Sequence, residues 1–498
     1  MLWRCIRGRC RKVLAVAGYL MGIDLGTTSV KAGVFTPDGS VLETFGESYP
    51  TTHKDGGVRE QDPRHWTRLI GLVLERFAAA GLRGQIAGAA LTSQVNTHVF
   101  VDRNGRPLMP AITWQDTRAA NEAAELDDQL NVEDKIAWLG APIPVDASHP
   151  LARMLWVQRH APEIWDKTRF VLLPKDFANH GLTGELATDP LSNIGLVGLD
   201  GHYVPQILDL VPGAADRMPP IRGITEIIGK SPDGTPFVTA TMDGWVGLLG
   251  TGACREGAFA YLSGTSEILG VASHDVTNEP GVVVFAEAEG LRLHAGPTQS
   301  GGASQQWFCN LAGLSIPEMI ELVDGTRRRH PTPLFLPHLA GERAPLWNVD
   351  LRGVFLGIES GMQTADFARA VYEGVALSAR HVLDALAASS ATVPETVSCG
   401  GGGFRSDPWG QIRADILGKR LERLAVQETG VVGAVCLAAA AKGIASSPEE
   451  AHRPFERFDR VWEPDPNTLG FHEDLFGIYK EAIETNETLG KRLVGLKP

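Results

Sequence analysis

The sequence predicts an α/β protein of two domains, and three observations carry that expectation. Apolar runs of strand length alternate with stretches of helical spacing along most of the chain. At 498 residues the chain can hold two sizeable domains. One local pattern, a buried strand that ends in a Gly-Thr turn and leads into a second strand, occurs twice and far apart. It stands at residues 21–31 (M-G-I-D-L-G-T-T-S-V-K) and again at 261–270 (Y-L-S-G-T-S-E-I-L-G), as an internal duplication would leave it.

Composition narrows the class. The net charge of −13 argues against non-specific nucleic-acid binding. No run of eighteen uncharged apolar residues occurs, so no membrane span is expected. The six cysteines, at 5, 10, 254, 309, 399 and 436, lack zinc-ligand spacing and form no disulfide framework, which fits a reduced cytoplasm. Residues 1–20 differ in character from the rest of the chain. Their basic start and short, interrupted apolar stretch could be read as a signal peptide. They fit better a disordered or wrongly assigned leader, with Met21 as the natural start.

In the first stretch Met21, Ile23 and Leu25 are apolar and Asp24 stands near the strand's end. Gly26 allows a sharp turn. Thr27, Thr28 and Ser29 then offer hydroxyls and a run of N–H groups. Such a turn can cradle phosphate oxygens, and an aspartate beside it suits Mg²⁺ held through water. A plain hairpin with a polar tip is the alternative. Residues 30–35 and 41–45, joined at Pro37-Asp38-Gly39, read as a hairpin. Asp62 can cap a helix that Pro63 opens, with Trp66, Leu69, Ile70, Val73, Leu74 and Phe77 at helical spacing and Gly81 as its stop. Residues 86–91 form another strand, followed by the polar segment 92–98. Residues 111–118 end a strand at Trp114 ahead of a helix.

Lys175-Asp176 opens a further helix. Residues 238–250 (V-T-A-T-M-D-G-W-V-G-L-L-G) read as a strand, an aspartate turn at Asp243 and a glycine-rich helix, which places a domain boundary near Thr251. The glycine run 400–403 follows a strand, and Ser406-Asp407-Pro408 opens a helix that ends near Gly418. The helix near 433–440 is rich in small residues and should pack closely on a sheet. Two other nucleotide motifs are excluded. Gly229-Lys230-Ser231 resembles the end of a P-loop, but the required earlier glycine position holds Ile224, and no G-x-G-x-x-G run follows a strand.

Residues 148–160 (S-H-P-L-A-R-M-L-W-V-Q-R-H) fit the first signature of the FGGY carbohydrate kinases nearly in full, with Arg153 where that pattern expects lysine. Gly353 to Ile358, with Asp366-Phe367 and Ala370-Val371-Tyr372-Glu373, satisfies the second. Together with the two Gly-Thr loops, these segments make the chain resemble that family from about residue 21 to about 443. The resemblance implies two ribonuclease H-like (actin-like ATPase) domains with a nucleotide cleft between them. Residues 21–251 would form the acceptor-binding N-terminal domain and 252–498 the nucleotide-binding C-terminal domain. It also implies ATP and Mg²⁺ as cofactors, a small sugar or polyol as substrate, and suggests a homodimer.

The family's catalytic aspartate falls on Asp243, making it the candidate general base; a helix N-cap is its other reading. Asp24, with Asp243 sharing the shell, would hold Mg²⁺. Thr27, Thr28, Gly264 and Thr265 would contact the β- and γ-phosphates. The bare glycines Gly401, Gly402 and Gly403 would let the nucleotide approach the backbone, and Gly302 resembles another nucleotide-side turn. Trp114 reads either as core packing or as a wall for a sugar's carbon skeleton, and Val95 and Asn96 stand where the family reads its acceptor. Gln94-Val95-Asn96-Thr97 matches neither the xylulose-kinase pattern Gln-Met-His-Gly nor the glycerol-kinase pattern Gln-Arg-Glu-Thr. Trp114-Gln115 is glycerol-kinase-like, whereas residues 335–345 resemble xylulose kinases. The expectation is a ketopentose such as D-xylulose, with glycerol, erythritol or ribulose as alternatives. An actin-like ATPase switch without an acceptor is the reading from a different class, and Asp243 and Trp114 argue against it.

Overall fold

The computed structural model describes residues 5–6, 9–10, 18–140, 142–277, 279–325, 328 and 333–496. Most of the expected leader, residues 1–20, falls outside them. The chain forms two compact units: residues 1–246 with 430–454, and residues 247–429 with 455–498.

The first unit is built on a six-stranded sheet. Strand β1 (Tyr19–Leu25) pairs antiparallel with β2 (Ser29–Phe35), which pairs antiparallel with β3 (Val41–Ser48). Strand β4 (Ile86–Ser93) lies parallel to β1. The edge hairpin β5 (Ile227–Lys230) and β6 (Pro236–Val238) adds to β4 through β6, giving the order β5-β6-β4-β1-β2-β3. Met21, Ile23 and Leu25 are fully buried, as their alternation requires. Helix α1 (Pro63–Ala79) starts where expected: the Asp62 carboxylate accepts the Arg64 N–H at 3.0 Å, and Pro63 takes the first turn. Its Trp66, Leu69, Ile70, Val73 and Phe77 are buried, each worth roughly 1.5–3 kcal/mol by transfer. Two more helices matter to the site, α2 (Pro150–His160) and α3 (Pro174–Thr183).

Helix α4 (Asp243–Thr251) begins in the first unit and ends in the second. The second unit repeats the topology. Strand β7 (Phe259–Ser263) pairs antiparallel with β8 (Glu267–Ala272), and two further strands, β9 (Val283–Val284) and β10 (Leu293–Pro297), extend that side. Helix α5 (Gly302–Ala312) and the long α6 (Thr364–Ser389) follow. Strand β11 (Thr396–Gly400) then lies parallel to β7. After α7 (Asp407–Leu417) comes β12 (Arg420–Leu424), parallel to β11. In both sheets a three-strand antiparallel meander is followed by two parallel strands, the duplication the two Gly-Thr turns suggested.

Helix α8 (Thr429–Ala441) departs from the expected division at Thr251. From residue 430 it belongs with the first unit. The reason is close packing: a Cβ on Gly22 of β1 would overlap the Val431 carbonyl and stand 3.1 Å from Val435, and one on Gly33 of β2 would stand 3.3 Å from Val431. The bare glycines of the sheet let Val431 and Val435 of α8 approach its backbone where larger side chains would hold the helix off. The second unit ends with β13 (Phe458–Trp462), antiparallel to β12, and α9 (Leu469–Val494).

Candidate active site

In the first unit, the expected residues gather at the carboxyl ends of β1 and β4 and at the start of α4. This is where open α/β sheets bind ligands. The Gly26 N–H donates to the Ser29 carbonyl at 3.1 Å and closes the first turn, leaving Thr28 exposed. Asp24 lies beside the first turn of α8, where a Cβ on Gly430 would be 2.5 Å from its Oδ2. The positive end of that helix favours a carboxylate there.

Asp243 is the first residue of α4. Its Oδ1 accepts the Gly244 N–H at 2.8 Å, and the Val95 N–H bonds its carboxylate as well. The Gly244 bond ties this carboxylate to the first turn of its own helix, where the helix dipole favours an acidic group. Burial, and then the charge of Asp24, push its pKa up to about 7, against the opposing pull of those N–H groups. The same two aspartates help raise the Tyr49 hydroxyl, after its own burial. Two carboxylates this close, one raising the protonation of the other, form a donor set suited to a hard divalent cation.

A buried lattice sets the turn that delivers Asp243. The Thr92 hydroxyl donates to the Thr241 carbonyl at 2.6 Å, and the Thr241 hydroxyl donates to Asp189 Oδ1 at 2.7 Å. Lys175, fully buried, bridges Asp176 at 2.5 Å and Asp189 at 2.7 Å, and its backbone N–H donates to the Ser93 hydroxyl at 3.0 Å. In the sequence, Lys175-Asp176 reads as the opening of a helix and, with residues 182–189, resembles the family's lysine–aspartate, then Leu-Thr-Gly, segment, but neither reading announces a buried ion pair.

Val95 and Asn96 follow β4, and both are half-buried. Asn96 has φ 53°, a left-handed conformation that asparagine tolerates better than most residues. Its amide nitrogen donates to Ser148 Oγ at 3.1 Å, and Ser148 Oγ donates to Asp146 at 2.6 Å. The backbone of this segment is gripped by Arg153 of α2. That buried guanidinium donates to the carbonyls of Asn96, Thr113, Ile112 (3.1 Å) and Ala147 (3.2 Å), and meets His98 Nδ1 at 2.8 Å. A lysine, as the signature pattern expects, has no planar fork to reach so many acceptors.

Trp114 is half-buried, not a core side chain. Its backbone N–H donates to Thr97 Oγ1 at 3.1 Å, while the indole Nε1–H donates to Thr27 Oγ1 at 3.0 Å. The Thr27 carbonyl accepts from Gln61 at 2.8 Å; Gln61 accepts from Gln94 at 2.7 Å, and Gln94 accepts from Thr97 at 3.2 Å. The first turn and the segments that hold Asn96 and Trp114 are therefore one bonded network within this unit.

In the second unit, Gly264 and Thr265 are exposed at the end of β7. The turn holding Gly302 is bonded to them: the Gly302 N–H donates to the Gly264 carbonyl at 3.0 Å and the Ala303 N–H to the Thr265 carbonyl at 2.8 Å. The glycine run leaves β11, the parallel neighbour of β7, in register Leu262 with Gly400. Its three site glycines have different reasons. A Cβ on Gly401 or Gly403 would overlap Ser263, so these two are bare because of their own packing. Among the described residues, a Cβ on Gly402 would meet nothing within 4 Å, and one on Gly264 would come no nearer than 3.5 Å to the Ser266 carbonyl.

The segment 335–345 also lies in this unit. Its buried Glu342 accepts from the N–H of Gln299 at 2.5 Å and from the Ser300 hydroxyl at 2.9 Å. It holds the turn before Gly302, a role the sequence did not announce.

The N-terminal domain model of the FGGY family of carbohydrate kinases matches residues 19–250, and its C-terminal domain model matches residues 259–442. A xylulose kinase from Escherichia coli (strain K12) is 30% identical over 86% of this chain and 91% of its own length. A gluconokinase from Bacillus subtilis (strain 168) is 28% identical over 86% of this chain and 88% of its own. Among solved structures, that of a ligand-bound xylulose kinase from Lactobacillus acidophilus superposes with a TM-score of 0.85 at 23% identity, covering 94% of this chain and 98% of that one.

Proposed function

We propose that this chain, which belongs to the FGGY family of carbohydrate kinases, passes the γ-phosphoryl group of ATP to a hydroxyl of a neutral sugar, a ketopentose such as D-xylulose, with Asp243 as general base. The observation that carries the reading is the state of Asp243: a half-buried carboxylate at a helix start, bonded to the Val95 N–H and pushed up to about 7. A base poised near neutral pH is what proton removal from an alcohol needs.

In this reading the acceptor hydroxyl gives its proton to the Asp243 carboxylate as its oxygen bonds to the γ-phosphorus. The bond from that phosphorus to the β–γ bridging oxygen breaks, and ADP leaves. Asp24 and Asp243 would hold Mg²⁺, which when bound neutralises phosphate charge. Thr27, Thr28, Gly264, Thr265 and Gly302 would meet the phosphates. The open space at Gly264 and Gly402, which the fold itself does not require, supports a nucleotide approaching there. Gly401 and Gly403 would shape that surface from below. Trp114 and Asn96 would hold the acceptor, the ring against its carbon skeleton and the amide at a hydroxyl.

The relatives include both xylulose kinases and a gluconokinase, and the charges favour a neutral substrate. Arg118 is held by Asp116 at 2.7 Å and Glu60 at 2.8 Å, and Arg153 is engaged by carbonyl oxygens. Burial keeps His98 and His149 below the ordinary histidine range, hence neutral. A sugar acid would bring its carboxylate toward Asp146 and Asp243 with these cations already committed. An ADP-coupled assay over D-xylulose, D-ribulose, glycerol, erythritol and gluconate tests the assignment. Turnover greatest with D-xylulose is expected; turnover greatest with gluconate would overturn it.

A further inference from the structure

The second unit buries one charge pair that the phosphoryl transfer itself does not use. Arg413 of α7 and Glu267 at the start of β8 meet at 2.5 Å, and both side chains are essentially inaccessible to solvent. Desolvating two charges is costly, and a buried pair is weak evidence for stability, so what it holds in place matters more.

What it holds is the junction of the two nucleotide-side loops. One Arg413 nitrogen donates to Ser263 Oγ at 2.9 Å as well as to Glu267; the other donates to the Gly403 carbonyl at 3.0 Å. Ser263 is the last residue of β7, immediately before Gly264-Thr265, and donates to Glu267 at 2.7 Å. Gly403 belongs to the glycine run. One planar group therefore bonds both loops where they leave adjacent parallel strands. The fork is itself fixed from the side: its carbon lies 3.8 Å from the Trp409 ring centroid, 4.6 Å from Phe404 and 5.5 Å from Tyr261. The Tyr261 hydroxyl donates to the other Glu267 oxygen. Trp409 in turn stacks on Tyr372, with centroids 4.3 Å apart and planes at 4°.

We propose that Arg413 and Glu267 are positioning residues for the nucleotide: the pair sets the spacing of the Gly264-Thr265 loop against the glycine run, and so governs ATP and ADP affinity without touching either. The inference rests on the nucleotide reading of these loops. Neither loop makes a tight site by its own rigidity, since Gly402 and Gly264 are exposed and uncrowded. Donors displaced by a fraction of an ångström lose much of a phosphate contact.

The test compares Arg413→Lys, Glu267→Gln and the neutral pair Arg413→Met/Glu267→Gln, which leaves no lone buried charge and should fold. Calorimetry with Mg-ADP and, separately, with D-xylulose reads each substrate on its own; circular dichroism and thermal unfolding establish folding. The folded double variant is expected to bind ADP on the order of tenfold more weakly, with sugar affinity unchanged, and Arg413→Lys to fall between it and the native protein. ADP affinity unchanged in the folded double variant would overturn the positioning role alone. An equal loss for both ligands would reduce the pair to a structural one. Failure of the native protein to bind ADP would overturn the nucleotide reading itself.

Discussion

The Trp114 indole Nε1–H donates to the Thr27 hydroxyl at 3.0 Å, so a residue expected at the phosphates is the anchor of the residue expected at the sugar. Replacing Trp114 by Phe keeps the ring and removes the donor; replacing Thr27 by Val removes the acceptor. Each should raise the acceptor KM several-fold, by about 1 kcal/mol of contact energy. The double variant should cost little more than either alone, because both break one bond. Steady-state kinetics on the four proteins checks this, and strictly additive losses would show the bond to be irrelevant to the pocket.

Asp243→Asn should lose roughly 10²- to 10⁴-fold in kcat while Mg-ADP binding persists. A native rate in the variant would remove Asp243 from the chemistry.

The same substitution should stabilise the protein at alkaline pH. Asp243 has a folded pKa near 7 against an ordinary value of 3.8. Below about pH 4 both folded and unfolded states hold the proton. Between there and pH 7 the folded state holds it more tightly, so stability declines as pH rises through that window. By pH 8 the cost is roughly 4 kcal/mol at most. Thermal unfolding in EDTA should show Asp243→Asn gaining on the native protein from pH 5 to pH 8. A constant difference between the two would mean that the carboxylate is not strained.

Arg153→Lys, the change toward the family pattern, should destabilise this chain. It leaves several of the carbonyls of Ala147, Asn96, Ile112 and Thr113 without a donor, at about 2–4 kcal/mol in all. Urea unfolding measures the loss. The acceptor KM should rise with it, since Asn96 and Trp114 sit on the segments that the guanidinium ties.

Gly430→Ala would place a methyl 2.5 Å from Asp24 Oδ2. The carboxylate must move, and the Mg²⁺ concentration for half-maximal activity should rise on the order of tenfold. An unchanged Mg²⁺ dependence would detach Asp24 from the metal.

Much of the scaffold was legible in the residues themselves. The two Gly-Thr turns, the cap at Asp62-Pro63 and the stop at Gly418 rest on backbone chemistry that a short window contains. The buried cations were not legible. Nothing local to Arg153, Lys175 or Arg413 says that carbonyls or carboxylates from distant segments will surround them, although charged residues are seldom fully buried without such partners. Gly401 and Gly403 are subtler: a bare glycine looks the same in sequence whether it makes room for a ligand or for Ser263. The return of α8 to the first unit was half visible. Its small residues announced close packing on a sheet, but not on which sheet.

That return has a consequence for how the protein is made. The face of β1 and β2 at Gly22 and Gly33 is shaped for α8, yet about 180 residues of the second unit leave the ribosome before α8 does. At ordinary translation speeds the first unit waits roughly 10–40 seconds with that face uncovered. A nascent or truncated chain ending near residue 250 therefore offers an apolar, glycine-lined surface to chaperones or to other chains. Cutting this gene between its two domain-sized halves would yield a first half that lacks part of its own interior.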